Sequence, residues 1–274
     1  MAAPIDISAP QLCRLIGTPD CPIVVDVRID EDVQADPRLL PGAFRQPHHR
    51  IEDLAPRLQG RRVVVICHRG AKLSQGAAAL LRLWGVAAVA LDGGHLGWND
   101  AGLPLVPLAA LPPRDAEGRT LWVTRRRPKV DRIACPWLIR RFVDRRARFL
   151  FVAPDEVHAV AERFGATPFD AMPVSTEGGD WGHRGEFCTF DAMVERFGLD
   201  TPPLRRLATI VRGADTRRPD LAAESSGLLA LSLGLSELFT EDLAQLDAAM
   251  VVYDALYHWA RETAQAGSDK RAVA

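Results

Sequence analysis

The chain has few cysteines and no excess charge of either sign over its 274 residues. Its five cysteines are odd in number and widely spaced, which argues against a disulfide framework and against a paired-CxxC zinc site. A net charge of −1 gives no global attraction to nucleic acid or anionic membrane. No apolar run approaches the ~20 residues that span a bilayer, and the first residues lack a signal-peptide pattern. We therefore expect a cytoplasmic protein with no membrane contact.

Residues 1–107 alternate apolar strands with helices, which predicts an α/β domain. Short apolar runs at 23–27, 63–66 and 88–91 predict buried strands, and a helix over 73–84 separates the last two. A strand, a helix and a strand within about 30 residues form a βαβ unit, so we expect a parallel sheet flanked by helices. The stretch 105–118 contains Pro107, Pro112 and Pro113, and we interpret residues 108–119 as a linker.

The sequence pattern predicts a mostly helical α+β domain over residues 120–264 and a disordered tail over 265–274. Strands are expected over 120–124 and 148–152. A helix is expected to begin near Pro136, because proline suits a first helical turn, and another is expected to have Thr189 as its N-cap. The chain is long enough for two such domains.

The most informative local feature is Cys67, which ends an apolar strand and opens a loop before a helix. Backbone N–H groups at a helix start are unsatisfied and favour a thiolate, which is the nucleophilic form of cysteine. Arg69 and Lys72 add positive charge to this loop. The pattern predicts an activated sulfur with an anionic partner, although a free cysteine is often only a small buried apolar residue.

Four motifs in order resemble a single rhodanese domain over roughly residues 5–107. They are Asp26 after its strand, Leu40-Pro41-Gly42-Ala43, the cysteine loop, and Leu91-Asp92-Gly93-Gly94 with the segment 98–104. The resemblance implies sulfane-sulfur transfer through a cysteine persulfide, without a cofactor, from a small sulfur donor to a thiol or cyanide acceptor. The family usually has arginine where this chain has Lys72, which cannot bind an oxyanion bidentately.

The predicted site of the first domain has Cys67 as nucleophile with Arg69 and Lys72 as donor-binding cations. Asp26 is included for ordering the loop or capping a turn. The remaining loop residues are expected to surround the oxyanion or the persulfide, and they are His68, Gly70 and Ala71. The alternative is a rhodanese fold that binds a ligand without catalysis.

The segment 114–148 is strongly basic, with twelve Arg or Lys against four Asp or Glu. This segment and later motifs resemble the C-terminal domain of the chromate-resistance ChrB family over about 120–262. These motifs include 165–170, 183–191, 210–215 and 253–257. The resemblance implies a role in chromate resistance. A chromate-responsive regulator of this family usually has a different N-terminal domain, so direct binding to DNA is not favoured here.

Two overlapping sites are predicted in the second domain. Arginines bind tetrahedral oxyanions such as chromate or sulfate, so an anion or chromium site is expected at Arg132, Arg140 and His183. Histidine, carboxylate and thiolate side chains also bind zinc or iron. The candidate metal ligands are His183, Glu186, Cys188, Asp191 and Asp215, although their spacing matches no firm motif.

Three functions follow from these patterns. The first is a sulfurtransferase associated with chromate resistance. The second is a chromate-responsive transcriptional regulator, for which the basic segment is the sole support. The third is a non-catalytic oxyanion- or metal-binding sensor.

Overall fold

The computed structural model describes residues 5–171 and 181–272, with side chains described as far as residue 264. The chain forms two compact units. The first comprises Met1–Leu111 and Arg141–Asp144, and the second comprises Pro112–Arg140 and Arg145–Ala274. The division after residue 111 lies within the predicted linker 108–119. In the described part of the chain, no helix is both long enough and apolar enough to cross a membrane.

The first unit is a parallel sheet flanked by helices, as predicted. Five strands pair in parallel in the order β1-β6-β5-β2-β4, and β3 pairs with β7 in an antiparallel ribbon. The strands are β1 Asp6–Ile7, β2 Ile23–Asp26, β3 Arg38–Leu39, β4 Phe44–Arg45, β5 Arg62–Ile66, β6 Ala87–Leu91 and β7 Val106–Pro107. The helices are α1 Ala9–Leu15, α2 Asp30–Ala35, α3 Ala55–Leu58, α4 Lys72–Leu83 and α5 Gly94–Asp100, with 3-10 turns at His48–Leu54 and Leu108–Ala110.

The core of this unit lies on the central strands. Val25 of β2 stands opposite Val65 of β5, and both are fully buried. Strands covered on both faces become runs of β-branched residues, which explains the uninterrupted apolar segments in the sequence. Each such side chain contributes about 1.5–3 kcal/mol by leaving water. The sheet therefore gives a rigid base for the loop that follows β5.

The second unit is rich in helices, with a three-stranded parallel sheet in the order β10-β8-β9. The strands are β8 Leu121–Arg125, β9 Arg148–Val152 and β10 Thr167–Pro168. The helices are α6 Asp131–Phe142, α7 Val157–Phe164, α8 Thr189–Arg196, α9 Pro202–Asp215, α10 Ser225–Leu238 and α11 Asp242–Ala272, with 3-10 turns at Pro154–Glu156 and Pro219–Leu221. Stacked and edge-on aromatic rings fill the region beside β8, namely Trp122, Phe149, Phe169, Trp181 and Phe197.

Two helix starts differ from the sequence prediction. Helix α6 begins at Asp131, because Val130 O already accepts N–H donors from Ile133 and Ala134. Pro136 therefore lies inside the helix, where it removes one N–H donor without ending the element. Helix α8 has Cys188 rather than Thr189 at its N-cap position. The first correction matters for function, since it places Asp131 in a helical first turn.

The C-terminal end of the chain also differs from the prediction. The backbone of α11 remains helical to Ala272, within the segment 265–274 that was predicted to be disordered. This segment contains good helix formers such as alanine, glutamine, lysine and arginine. A single glycine costs a helix only about 1 kcal/mol, which does not require the helix to stop there.

Candidate functional site

Cys67 lies directly after β5 and before α4, at the base of the loop predicted from the sequence. The residue is only 4% exposed, and its Sγ lies 3.2 Å from Ser74 Oγ in α4. Burial raises the pKa of the Cys67 thiol. Hydrogen bonds from the Ser74 side chain and from the backbone N–H groups of Ser74, Ala71 and Arg69 outweigh this effect, so the pKa lies below its ordinary value. The loop therefore stabilises a thiolate, the nucleophilic form of cysteine.

A second turn, at the end of β6, fixes the shape of this loop. His95 N donates to Cys67 O at 2.9 Å, and Leu96 N donates to His68 O at 3.0 Å. Gly70 and Gly94 adopt positive φ angles of 68° and 58°. A Cβ atom on Gly70 would lie 2.6 Å from Gly94 N, so the two backbones approach too closely for any side chain. The Gly93-Gly94 motif thus allows the turn after β6 to pack directly against the backbone of the cysteine loop.

The other predicted loop residues include two cations, Arg69 and Lys72, at the protein surface. Arg69, Ala71 and Lys72 are exposed, while His68 is half-buried. The His68 Nδ1 atom has no hydrogen-bond partner in the described part of the chain. Arg69 lies in the loop that contains the thiol, and Lys72 begins α4 directly after that loop. Both are accessible to a dissolved anion.

Asp26 caps a turn, which is one of the two roles expected for it. Its carboxylate accepts from Arg28 Nε at 2.8 Å and from Arg28 N at 2.9 Å. Both side chains are at most 1% exposed. Arg28 also donates to the backbone oxygens of Asp36 and Arg38. Asp26 therefore balances a buried guanidinium that ties β2 to the segment before β3, and we assign it a structural role rather than a catalytic one.

In the second unit, three aspartates converge on His183. His183 Nε2 lies 3.4 Å from Asp131 Oδ2, 3.3 Å from Asp215 Oδ2 and 3.7 Å from Asp170 Oδ1. Asp131 opens α6, Asp215 ends α9, and Asp170 follows β10. We call these four residues the His183 cluster. The carboxylates raise the pKa of His183 to about 10, chiefly through its contacts with Asp131 and Asp215.

Asp131 is the most firmly held member of the His183 cluster. It is 1% exposed and accepts from the backbone N–H groups of Thr189 and Phe190, at 2.9 and 3.0 Å. These N–H groups belong to the first turn of α8, where the helix dipole also favours an anion. Cys135 Sγ donates to Asp131 Oδ1 at 3.3 Å. This carboxylate therefore links α6 to the start of α8.

Asp170 is held by arginines on its other side. Arg125 donates to Asp170 Oδ2 at 2.6 Å, and Arg132 Nε lies 3.2 Å from the same oxygen. Burial and the neighbouring Asp131 raise the pKa of Asp170, despite the two arginines. Burial lowers the pKa of Arg132. The other oxygen of this carboxylate, Asp170 Oδ1, lies 3.7 Å from His183 Nε2.

The predicted anion site is only partly assembled. Arg132 pairs with Asp170 of the His183 cluster, but Arg140 contacts Asp247 at 2.8 Å and the ring of Phe149 instead. Arg132 donates to the backbone oxygens of Arg125 and Arg126 and pairs with a carboxylate. The surroundings of His183 are therefore rich in carboxylates, which is unfavourable for chromate or sulfate.

The predicted metal ligands divide into two groups. His183 and Asp215 belong to the His183 cluster. Cys188 and Asp191 instead face each other across the start of α8, with Sγ 3.2 Å from Asp191 Oδ2, and Arg212 pairs with Asp191 at 3.1 Å. Burial raises the pKa of Cys188 well above its ordinary value, which disfavours the thiolate that metals bind. Glu186 is exposed and lies outside both groups.

The sequence prediction omitted Asp131 and Asp170 from the site. Both lie within motifs of the ChrB resemblance, and each is an acid beside basic residues or at an element boundary. An aspartate in the first turn of a helix suggests a dipole or cap role. The helix start predicted at Pro136 hid this signal for Asp131.

Comparisons with known proteins agree with this division of the chain. Residues 122–260 match the family model described as "ChrB, C-terminal domain". Protein ChrB of Cupriavidus metallidurans is 36% identical over 146 residues, covering 53% of this chain and 42% of ChrB. The chain thus spans less than half the length of this curated relative.

Solved structures similar to this chain include rhodanese-like proteins. A rhodanese-like domain protein from Staphylococcus aureus is 26% identical and covers 36% of this chain and 94% of its own, with a TM-score of 0.32. Thiosulfate sulfurtransferase from Pseudomonas aeruginosa is 26% identical and covers 38% of this chain and 21% of its own, with a TM-score of 0.31. Since the ChrB model spans half of the residues, the chain belongs to the ChrB C-terminal domain family.

Proposed function

We propose that this protein is a sulfurtransferase of the thiosulfate type, that Cys67 carries the transferred sulfur, and that the protein acts in chromate resistance. The observation that carries the enzymatic proposal is the Cys67 thiol. It is held by the Ser74 hydroxyl and by the backbone N–H groups of Arg69, Ala71 and Ser74, which lower its pKa. Membership of the ChrB C-terminal domain family supports the chromate part.

The proposed reaction has two steps with Cys67 as the only covalent carrier. The Cys67 thiolate attacks the outer sulfur of thiosulfate, an S–S bond forms at the enzyme, and the S–S bond of thiosulfate breaks. Sulfite leaves with the electron pair. Cyanide or a thiolate then attacks the outer sulfur of the persulfide, and the Cys67 thiolate is regenerated. When cyanide is the acceptor, it takes the outer sulfur and is released as thiocyanate, so no external oxidant or reductant is needed.

The loop provides what each step requires. The N–H groups of Arg69, Ala71 and Ser74 stabilise negative charge on the sulfur before attack. Arg69 and Lys72 attract the dianionic donor at the loop surface. Lys72 gives a point charge where a bidentate guanidinium would hold two oxygens. We therefore expect thiosulfate to bind weakly, with a high KM.

Thiocyanate formation from thiosulfate and cyanide tests the chemistry. Cys67→Ser should abolish turnover, whereas Cys21→Ser, which changes another thiol of the same unit, should leave it intact. Equal turnover in Cys67→Ser and wild type would refute the assignment of the nucleophile. Lys72→Arg should lower KM for thiosulfate, because the guanidinium can bind two oxygens at once.

The biological part of the proposal needs a separate test. A strain that lacks this protein should grow less well on chromate, and wild-type protein should restore growth. Restoration by Cys67→Ser to the same level would separate chromate resistance from sulfur transfer. Unchanged growth of the deletion strain on chromate would refute the proposed role in resistance.

A further inference from the structure

We propose that the His183 cluster binds a divalent first-row transition-metal ion, with Asp131, His183 and Asp215 as ligands and Asp170 beside them. All four residues lie in the second unit and are separate from the Cys67 loop. The proposal therefore does not depend on sulfur transfer. It replaces the ligand set expected from the sequence and keeps two of its members.

The spacing of the donor atoms is the first argument. One oxygen or nitrogen from each of Asp131, His183 and Asp215 lies within 4.8 Å of the others. The histidine–carboxylate separations of 3.3–3.7 Å exceed the usual 2.7–3.2 Å of an N–H···O hydrogen bond. Ligands about 2.1 Å from one metal ion stand roughly 3.0–3.4 Å apart in octahedral or tetrahedral geometry. The separations of His183 Nε2 from Asp131 and from Asp215, 3.4 and 3.3 Å, are thus those of two ligands of one metal ion.

The charge balance is the second argument. Three carboxylates surround one imidazole nitrogen, and that nitrogen has at most one hydrogen to donate. Two of the three contacts to His183 Nε2 are then left without a hydrogen. Arg125 and Arg132 neutralise Asp170 through Oδ2 alone. A divalent cation between Asp131, Asp215 and His183 would satisfy both carboxylates and the imidazole together.

The supporting contacts are the third argument. Metal-binding carboxylates are themselves hydrogen-bonded, which fixes their direction. The N–H groups of Thr189 and Phe190 do this for Asp131, and the arginines do it for Asp170. Thr189, whose backbone N–H holds Asp131, is fully buried, and its hydroxyl has no partner in the described part of the chain. An unsatisfied buried hydroxyl at this position is accounted for by a metal-bound water as its partner.

The donor types define the ligand class. Two or three carboxylate oxygens with one imidazole suit manganese, iron or zinc in the divalent state. Thiolate donors, which would favour softer ions, are absent from the described cluster because Cys135 donates its S–H to Asp131 and Cys188 faces Asp191. Mn²⁺ is the most useful probe, because its paramagnetism reports directly on the ligands.

Mn²⁺ binding to chelator-treated full-length protein tests the proposal. Electron paramagnetic resonance should count one tightly bound Mn²⁺ per wild-type chain. Asp215→Asn and His183→Gln should weaken binding at least 100-fold, since even loss of a supporting contact costs 10–100-fold. Glu186→Gln removes an exposed acid three residues from His183 and should bind like wild type. Wild-type affinity in both ligand variants, or no bound Mn²⁺ in wild type, would overturn the site.

A spectroscopic measurement keeps the test decisive if a variant fails to fold. Pulsed electron paramagnetic resonance of the wild-type Mn²⁺ complex should show coupling to a histidine nitrogen. Absence of that coupling would overturn the proposal without any variant. Sulfur transfer by Asp215→Asn should stay unchanged, so a failure of the metal site and a failure of the Cys67 chemistry appear in different assays.

Discussion

Ser74 provides the sharpest test of how the loop activates Cys67. Its hydroxyl lies 3.2 Å from the Cys67 sulfur and also 3.2 Å from Ala71 O. A hydroxyl has one hydrogen, so it cannot donate to both. With a neutral thiol, the Ser74 hydroxyl donates to Ala71 O and can accept from Cys67. With a thiolate, the hydroxyl must turn to the sulfur and release the carbonyl.

This exchange sets the size of the expected effect. A hydrogen bond to a charged group contributes about 1.5–3 kcal/mol, and the neutral bond given up is worth about 0.5–1.5 kcal/mol. The net gain for the thiolate is therefore roughly 1–1.5 kcal/mol, which corresponds to about a tenfold change in the thiolate population. The backbone N–H groups of Arg69, Ala71 and Ser74 are unaffected by the substitution, so activation should fall rather than disappear.

Alkylation of Cys67 by iodoacetamide near neutral pH measures this population. Ser74→Ala should react about tenfold more slowly and reach its full rate at a higher pH. Gln75→Ala changes the next, exposed residue of the same helix and should react like wild type. An unchanged pH profile in Ser74→Ala would show that the hydroxyl does not stabilise the thiolate. Alanine favours helix, so loss of α4 is not an expected cause of the change.

Three further predictions concern the first unit. Asp26→Ala leaves the guanidinium of Arg28 buried and unpaired, so urea unfolding should show a loss of about 3–5 kcal/mol, and a loss below 1 kcal/mol would contradict the structural role. Gly94→Ala places a Cβ against the backbone of the cysteine loop, so Cys67 should be alkylated more slowly than in wild type. Gly76→Ala has open space around it and should be alkylated at the wild-type rate. Arginine and histidine partners lower the pKa of Asp36, so its contribution is complete above the unfolded value near pH 4 and is lost as the pH falls below it. Asp36→Asn should therefore flatten the acid side of the stability profile, and identical profiles would refute this linkage.

Local patterns were sufficient to predict the first unit. Runs of valine and isoleucine correspond to β5 and the neighbouring strands, and the helix predicted over 73–84 is found at Lys72–Leu83. The Cys67 loop was predictable because its chemistry depends on a strand end and a helix start that are adjacent in sequence. The partner of Asp26 was not predicted. Arg28 is two residues away, but nothing in a basic residue after a strand indicates that it is fully buried.

The His183 cluster could not be assembled from the sequence for a different reason. Its members come from a helix start, a strand end, a loop and a helix end, and only tertiary packing brings them together. Each aspartate alone has an ordinary interpretation as a cap or a surface charge. The candidate ligands are all selected for their residue types, and residue type alone does not show that Cys188 and Asp191 face each other instead.

The basic segment shows why a count of charges does not identify a binding surface. Arg125 and Arg132 pair with Asp170, and Arg140 pairs with Asp247. A chromate ion at Arg132 would have to displace Asp170 from a partly buried site and would also meet Asp131. Breaking a buried pair by removing one partner costs about 3–5 kcal/mol, whereas a cation beside the same carboxylates keeps the arginine pairs intact. We therefore infer that these carboxylates suit a metal ion better than an oxyanion.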